Sequence, residues 1–187
     1  MKKKEDRRIR ITKLAIKESL LELMQVHPIA KISVKMICDS ADINRSTFYA
    51  HYKDQYYLLN QLQQEAVQDI KEHIFAASFV KEEEENTVPV IVKVLKYCKS
   101  DITLFKVLLS ENGDSDFQHD LMLLAQEKAL QEIRDGRRWD ARTSSYIEHF
   151  AVSGVLSMIR KWLADGCIDE PEHLAELMTR FLYEGIL

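Results

Sequence analysis

Apolar residues recur at helical spacing from one end of this chain to the other, and little interrupts them. Near the start, Ile16, Leu20, Leu23 and Met24 fall at i, i+4, i+7 and i+8, and near the end Leu174, Leu177, Met178, Phe181 and Leu182 repeat the pattern. Five glycines and three prolines punctuate 187 residues, too few for the turns that a sheet of short strands requires. The chain therefore reads as all-α, with no segment alternating at the strand period.

Punctuation marks then divide it. A first helix is expected over 7–27, stopped by Pro28. Ser33 can cap a short helix reaching about Ala41, and Asn44 a second reaching about Tyr52, with Asp42 and Ile43 as the turn between them. A long helix follows from Asp54 to about Phe79 through Leu58, Leu59, Leu62, Ala66, Ile70 and Phe75. The run Lys81-Glu82-Glu83-Glu84-Glu85-Asn86 reads as a linker or helix end, since adjacent like charges need solvent. Further helices are expected over 88–100, 102–111, 116–135, 143–165 and 170–184, with Asn112-Gly113-Asp114 and Asp165-Gly166 as stops and Pro171 in a first turn.

Composition excludes several functions. Hydrophobic residues at 46% and charged residues at 30% fit a globular chain with a real core. No run approaches the roughly 20 apolar residues of a membrane span, and no apolar segment follows the charged N-terminus, so a cytoplasmic location away from membranes is expected. Cys38, Cys98 and Cys167 are scattered and odd in number, which predicts buried thiols rather than disulfides or a metal site. The chain lacks the P-loop, GxGxxG, GxSxG and HExxH patterns. Neither enzyme chemistry nor a cofactor is expected.

Charge is uneven. Residues 1–60 carry twelve Lys and Arg against seven Asp and Glu, while the remainder carries fourteen against twenty-three. A positive N-terminal part suits a phosphate backbone, and an acidic body would be held away from one. The first six residues alone read as a solvated tail.

The informative stretch runs from Ile32 to Lys53. Val34, Ile37, Cys38, Ile43 and Phe48 are spaced so that two short helices can pack on each other and on the first helix. The second helix then presents Arg45, Ser46, Thr47, Tyr49 and His51, hydrogen-bonding side chains long enough to reach phosphates or base edges in a major groove. Tyr52 reads as core.

This segment, Asn44-Arg45-Ser46-Thr47-Phe48-Tyr49-Ala50-His51-Tyr52-Lys53, resembles the recognition segment of the TetR family of bacterial transcription regulators, and the likeness spans roughly residues 9–62. The resemblance implies a three-helix DNA-binding domain over 1–53 and a helical dimerisation and ligand-binding domain over 54–187. It implies that Asn44 caps the recognition helix and that Arg45, Ser46 and Thr47 approach base edges, Arg45 foremost because its planar fork can bind guanine twice. Tyr49 and His51 fall where the family contacts phosphate, as do Ser33 and Lys35 at the start of the supporting helix. Two positions depart from the family pattern: Asp42 stands where glycine is usual in the turn, and Gln55 where a lysine usually opens the long helix. Either Lys53 supplies the charge at that point or the phosphate contact is weaker.

In the C-terminal body, Tyr146 to Leu163 is apolar around much of its circumference, with small residues at Ala151, Ser153, Gly154 and Ser157. Paired with the last helix, it can form a four-helix interface between two subunits or an ordinary intramolecular core. The resemblance favours a homodimer, whose twofold axis lets two short helices read a palindromic operator. The pattern from Phe150 to Leu163 is similar to the TetR subgroup that includes the dihydroxyacetone-operon activator. The implied partners are double-stranded DNA, a second copy of the chain, and a small-molecule effector or a co-regulator protein. Repression released by an effector is the expected action, with activation as the alternative. Tyr97, Phe105, Leu108, Phe117, Met122, Tyr146 and Phe150 are candidates for an effector pocket, and each is also a good core residue.

Overall fold

The structure, a computed structural model, describes residues 2–76, 87–110, 117–124 and 140–183. All regular structure in them is helical: α1 (Lys2–Met24), a 3-10 turn (Ile29–Lys31), α2 (Val34–Ser40), α3 (Arg45–Tyr49), α4 (Gln55–Ala76), α5 (Thr87–Ser100), α6 (Ile102–Leu108), α7 (117–124), α8 (Ala141–Ala164) and α9 (Pro171–Tyr183). The acidic run 81–86, the stop expected at 112–114, and the ends of the helices expected to reach 79, 135 and 184 lie outside the described residues.

These residues fall into two compact units, one within Met1–Glu65 and Val107–Asp114, the other within Ala66–Lys106 and Ser115–Leu187. In the first unit α1 packs on α2 and α2 on α3. Its core holds Ile16, Leu20, Leu21 and Met24 of α1, Ile37 and Cys38 of α2, Phe48 of α3 and Leu58, Leu59 and Leu62 of α4. Leu21 is 1% exposed, whereas Leu23 is only half-buried, so the core stripe lies slightly around the helix from where the spacing put it.

The turn between α2 and α3 shows why an unusual residue can stand there. Ala41 ends α2, Asp42 takes a left-handed conformation at φ 51°, and the Ile43 N–H donates to the Cys38 carbonyl at 3.0 Å. This is the helix-ending motif in which a left-handed residue lets the chain fold back onto the last turn. Aspartate tolerates that conformation better than most residues do. The same motif ends α8, where Gly166 (φ 82°) precedes a Cys167 N–H bond to the Trp162 carbonyl at 2.9 Å.

In the second unit α9 packs on α5 and α8. Leu95 and Cys98 of α5, Leu104 and Phe105 of α6, Phe117 and Leu121 of α7, Val152, Leu156, Ile159 and Leu163 of α8, and Leu174, Ala175 and Met178 of α9 are buried. Ion pairs Lys99–Glu170 and Lys96–Glu172 tie α5 to the start of α9, and the Trp162 indole donates to the Asp169 carbonyl at 2.9 Å. All three cysteines are buried free thiols. Burial pushes the Cys38 and Cys167 thiols up and lifts Cys98 to about 12, so at neutral pH they are protonated and poorly nucleophilic. No helix among the described residues is long and apolar enough to cross a membrane.

Candidate nucleic-acid interface

The two short helices are each started by a side chain. The Ser33 hydroxyl accepts from the Met36 N–H at 3.3 Å, fixing the first turn of α2 and with it Lys35, which is exposed. Asn44 does more: its Oδ1 accepts the Thr47 N–H at 2.8 Å, the Thr47 hydroxyl at 2.8 Å and the Ser46 hydroxyl. A five-residue helix cannot sustain itself by its own ladder, so this cap is what holds α3 in register.

The cap also sets the chemistry that α3 offers. Ser46 and Thr47 have committed their hydroxyl protons to Asn44, leaving oxygen lone pairs and the Thr47 methyl. Held this way they present lone pairs that can accept from a base amino group, and Thr47 a methyl that can meet that of thymine. Arg45, exposed in the first turn, is the strong donor of the set.

Phe48 anchors α3 from below, fully buried, with the Tyr49 ring edge-on to it at 5.7 Å between centroids and Tyr52 tilted against it at 5.8 Å. Tyr49 is 58% exposed, its phenol free to meet a partner beyond the unit, while Tyr52 is buried. Burial raises the Tyr52 phenol above its ordinary value, with Glu65 adding to the shift. The helix stops at Tyr49, three residues before the expected end. Both His51 and Tyr52 turn their N–H groups to the Phe48 carbonyl at 2.9 Å, and drawing Tyr52 into the core bends the chain away. His51 is therefore a half-buried turn residue, edge-on to Tyr52, rather than a member of the helix.

Lys53 is exposed in the turn that follows. Asp54 restarts the chain as α4, its carboxylate accepting the Tyr57 N–H at 2.7 Å. Gln55 is half-buried. Two residues that the sequence pattern did not single out stand beside it: Tyr56 and Tyr57 are 51% and 46% exposed in the first turn of α4. They are out of phase with the buried Leu58, Leu59 and Leu62, and that mismatch was the available signal.

The unit thus brings Lys35, Arg45, Ser46, Thr47, Tyr49, His51 and Lys53 onto two capped helices and the turn after them, with Ser33 and Asn44 serving as caps. Among the described residues no cluster of His, Cys, Asp or Glu could hold a metal ion.

A capped helix, a tight left-handed turn and a second capped helix, set on a longer first helix and followed by a second unit whose described residues form helices, define a helix-turn-helix transcriptional regulator. Residues 85–184 match the family described as "Transcriptional regulator C-terminal region". That match takes in more than half of the chain, which belongs to the TetR family of DNA-binding transcription regulators. A curated relative, the uncharacterized HTH-type transcriptional regulator YxbF of Bacillus subtilis (strain 168), is 25% identical over 183 residues, 95% of this chain and 46% of that protein. The chain spans about half the length of that relative. Two solved structures share the fold: the dihydroxyacetone kinase operon activator DhaS, 20% identical with a TM-score of 0.58 over 94% of this chain and 96% of that one, and the regulator FadR from Bacillus subtilis in complex with stearoyl-CoA, 15% identical with a TM-score of 0.69 over 93% and 99%.

Proposed function

We propose that this regulator binds a palindromic operator as a homodimer, reading bases with α3 and gripping phosphates with the residues around it. The carrying observation is the Asn44-capped α3, which presents exposed Arg45 and Tyr49 on the unit that also holds the excess of positive charge. In this reading residues 1–53 read DNA and residues 54–187 dimerise and sense. Arg45, Ser46 and Thr47 face base edges; Lys35, Tyr49, His51 and Lys53 position the head on phosphates; Ser33 and Asn44 hold the two helices in shape. The protein acts by binding, without catalysis or a cofactor.

The dimer is supported by α8, which has two apolar faces. Val152, Leu156, Ile159 and Leu163 point inward, while Tyr146 (65% exposed), Ile147 and Phe150 (73% exposed) point outward in line with exposed Gly154 and Ser157. A methyl built on Gly154 would meet nothing within 4 Å, so this side of the helix is open to close approach by another. Phe181 and Leu182 at the end of α9 are exposed too. Tyr146 and Phe150 therefore belong to this outer face and not to an interior pocket, whereas Phe105 and Phe117 are buried and Met122 is half-buried.

Regulation takes one of two forms. In the first the protein represses until a small-molecule effector, bound in the helical body, favours a conformation with mis-spaced heads and lowers operator affinity by its preference between states. Likeness to a structure holding stearoyl-CoA supports a body able to take a ligand. In the second the protein activates, alone or with a co-regulator, which likeness to an operon activator supports. Titrating wild type and Arg45→Ala against a selected operator tests the common core of both: the variant, still folded, should lose sequence preference, and an unchanged preference would remove α3 as the reader.

A further inference from the structure

The inward face of α8 is apolar with one exception. Val152, Leu156, Ile159 and Leu163 are buried along it, and Glu148, one turn before Val152, is buried with them at 7% exposure. At about 100° per residue, Glu148 lies about 40° around the helix from Val152 and about 160° from Phe150 on the outward face. Its carboxylate has no hydrogen-bond or ion-pair partner among the described residues. Nor does its own helix offer one: the positions three and four residues away on either side are Ser144, Ser145, Ala151 and Val152, none of them a cation. Carboxylates of the same unit that stand largely in solvent, those of Asp165, Glu170 and Glu172, each have a lysine. The buried one, where pairing matters most, has none.

We propose that Glu148 is the anionic anchor of a site in the second unit for an organic cation with an apolar body, such as an alkylammonium ion. The inference rests on the reading of this unit as the effector-sensing body and deepens it by naming the effector's charge. The choice of partner follows from what surrounds the carboxylate. A metal ion would need several ligands, and among the described residues no cluster of His, Cys, Asp or Glu supplies them. An anionic ligand would set like charge against it. A neutral alcohol can donate one hydrogen bond, but only a cation also compensates the charge. The apolar residues that follow Glu148 along the same face suit a hydrocarbon tail, and the exposure that remains gives the head group its approach.

The test compares the whole chain with its Glu148→Gln variant, which keeps the shape of the side chain and removes its charge. Three probes share one tail and differ in the head group: octylamine, a cation at neutral pH, octanol and octanoate. Binding is measured by calorimetry, and the operator is titrated with and without octylamine. The wild-type protein is expected to bind octylamine at least about tenfold more tightly than octanol, with octanoate weaker still, and Glu148→Gln to lose that order. Operator affinity should shift in octylamine for the wild-type protein and not for the variant. Without any probe, Glu148→Gln should melt about 2–4 °C higher, since it no longer buries an unpaired charge. A lower melting temperature would mean that the carboxylate serves the fold, and overturns the inference. The same order of affinities in both proteins, or no binding of any probe, overturns it too, and the effector reading outlives these results because it specifies no charge. Octylamine binding that depends on Glu148 but leaves operator affinity unmoved supports the site and removes the effector reading instead.

Discussion

Asp42 holds its turn at φ 51°, where a side chain crowds the backbone and glycine would not. Asp42→Gly is expected to raise stability by roughly 0.5–1 kcal/mol, measured by urea denaturation; a destabilised variant would mean that the carboxylate has a role the turn does not require. Two residues away Asn44 serves three donors at once, so Asn44→Ala should cost about 1 kcal/mol of stability and weaken operator binding, while Asn44→Asp restores most of the stability. Arg45→Ala should cost about 1–3 kcal/mol of binding and relax sequence preference, whereas Lys35→Ala should weaken binding to all sequences alike and flatten the salt slope. In the second unit, burial lifts the Cys98 thiol from its ordinary 9.0 to about 12. As pH rises through that window the unfolded chain gives up a proton that the folded chain keeps, so stability falls, and Tyr97, raised by burial and its bond to Asp69, acts with the same sign. Denaturation at about pH 8 and about pH 10 should show the loss, and Cys98→Ala should reduce it. Asn44 as a cap and Tyr52 as core were legible in the sequence because spacing alone dictates them. What Asn44 does to Ser46 and Thr47 was not, since nothing in the order of residues says which hydroxyl protons are already spent.

Elements were placed well by their apolar period and less well at their ends. α8 starts at Ala141, two residues before its expected start, because the Asp140 carboxylate accepts the Arg142 and Thr143 N–H groups and begins the helix there. α3 ends at Tyr49, because burial of Tyr52 outweighs the propensity of the residues between. Period also could not say which of two apolar faces on α8 turns inward. Leu156 and Phe150 look equivalent in sequence, yet one is 8% and the other 73% exposed. The outward face makes a prediction at this scale: Phe150→Asp should leave the subunit folded but place a charge in the centre of the proposed interface. Sedimentation should find a monomer, and the operator should be bound far more weakly since two heads no longer act together. A dimer of unchanged affinity would move the interface elsewhere.

For the whole molecule, the asymmetry of charge and the order of the helices agree. Residues 1–60 carry the surplus of cations and the remainder the surplus of acids, an asymmetry that in the proposed reading favours contact with DNA through the unit holding α3. Family membership was legible because the residues around Asn44 to Lys53 combine a cap, a buried anchor and exposed donors in a fixed order. Effector and sign of regulation were not, because the interior of the body is filled by residues such as Phe105 and Phe117 that any core would use. Everything proposed for the regulator depends on α3 pairing across a twofold axis to read DNA. Selection of binding sites from random duplex DNA by the purified protein, followed by titration of the enriched site at two salt concentrations, tests it most directly. The expected result is a palindromic motif with half-sites about one helical turn apart, bound by a dimer with salt-dependent affinity. A folded, dimeric protein that enriches no sequence, or one that enriches a single unpaired half-site, would contradict it.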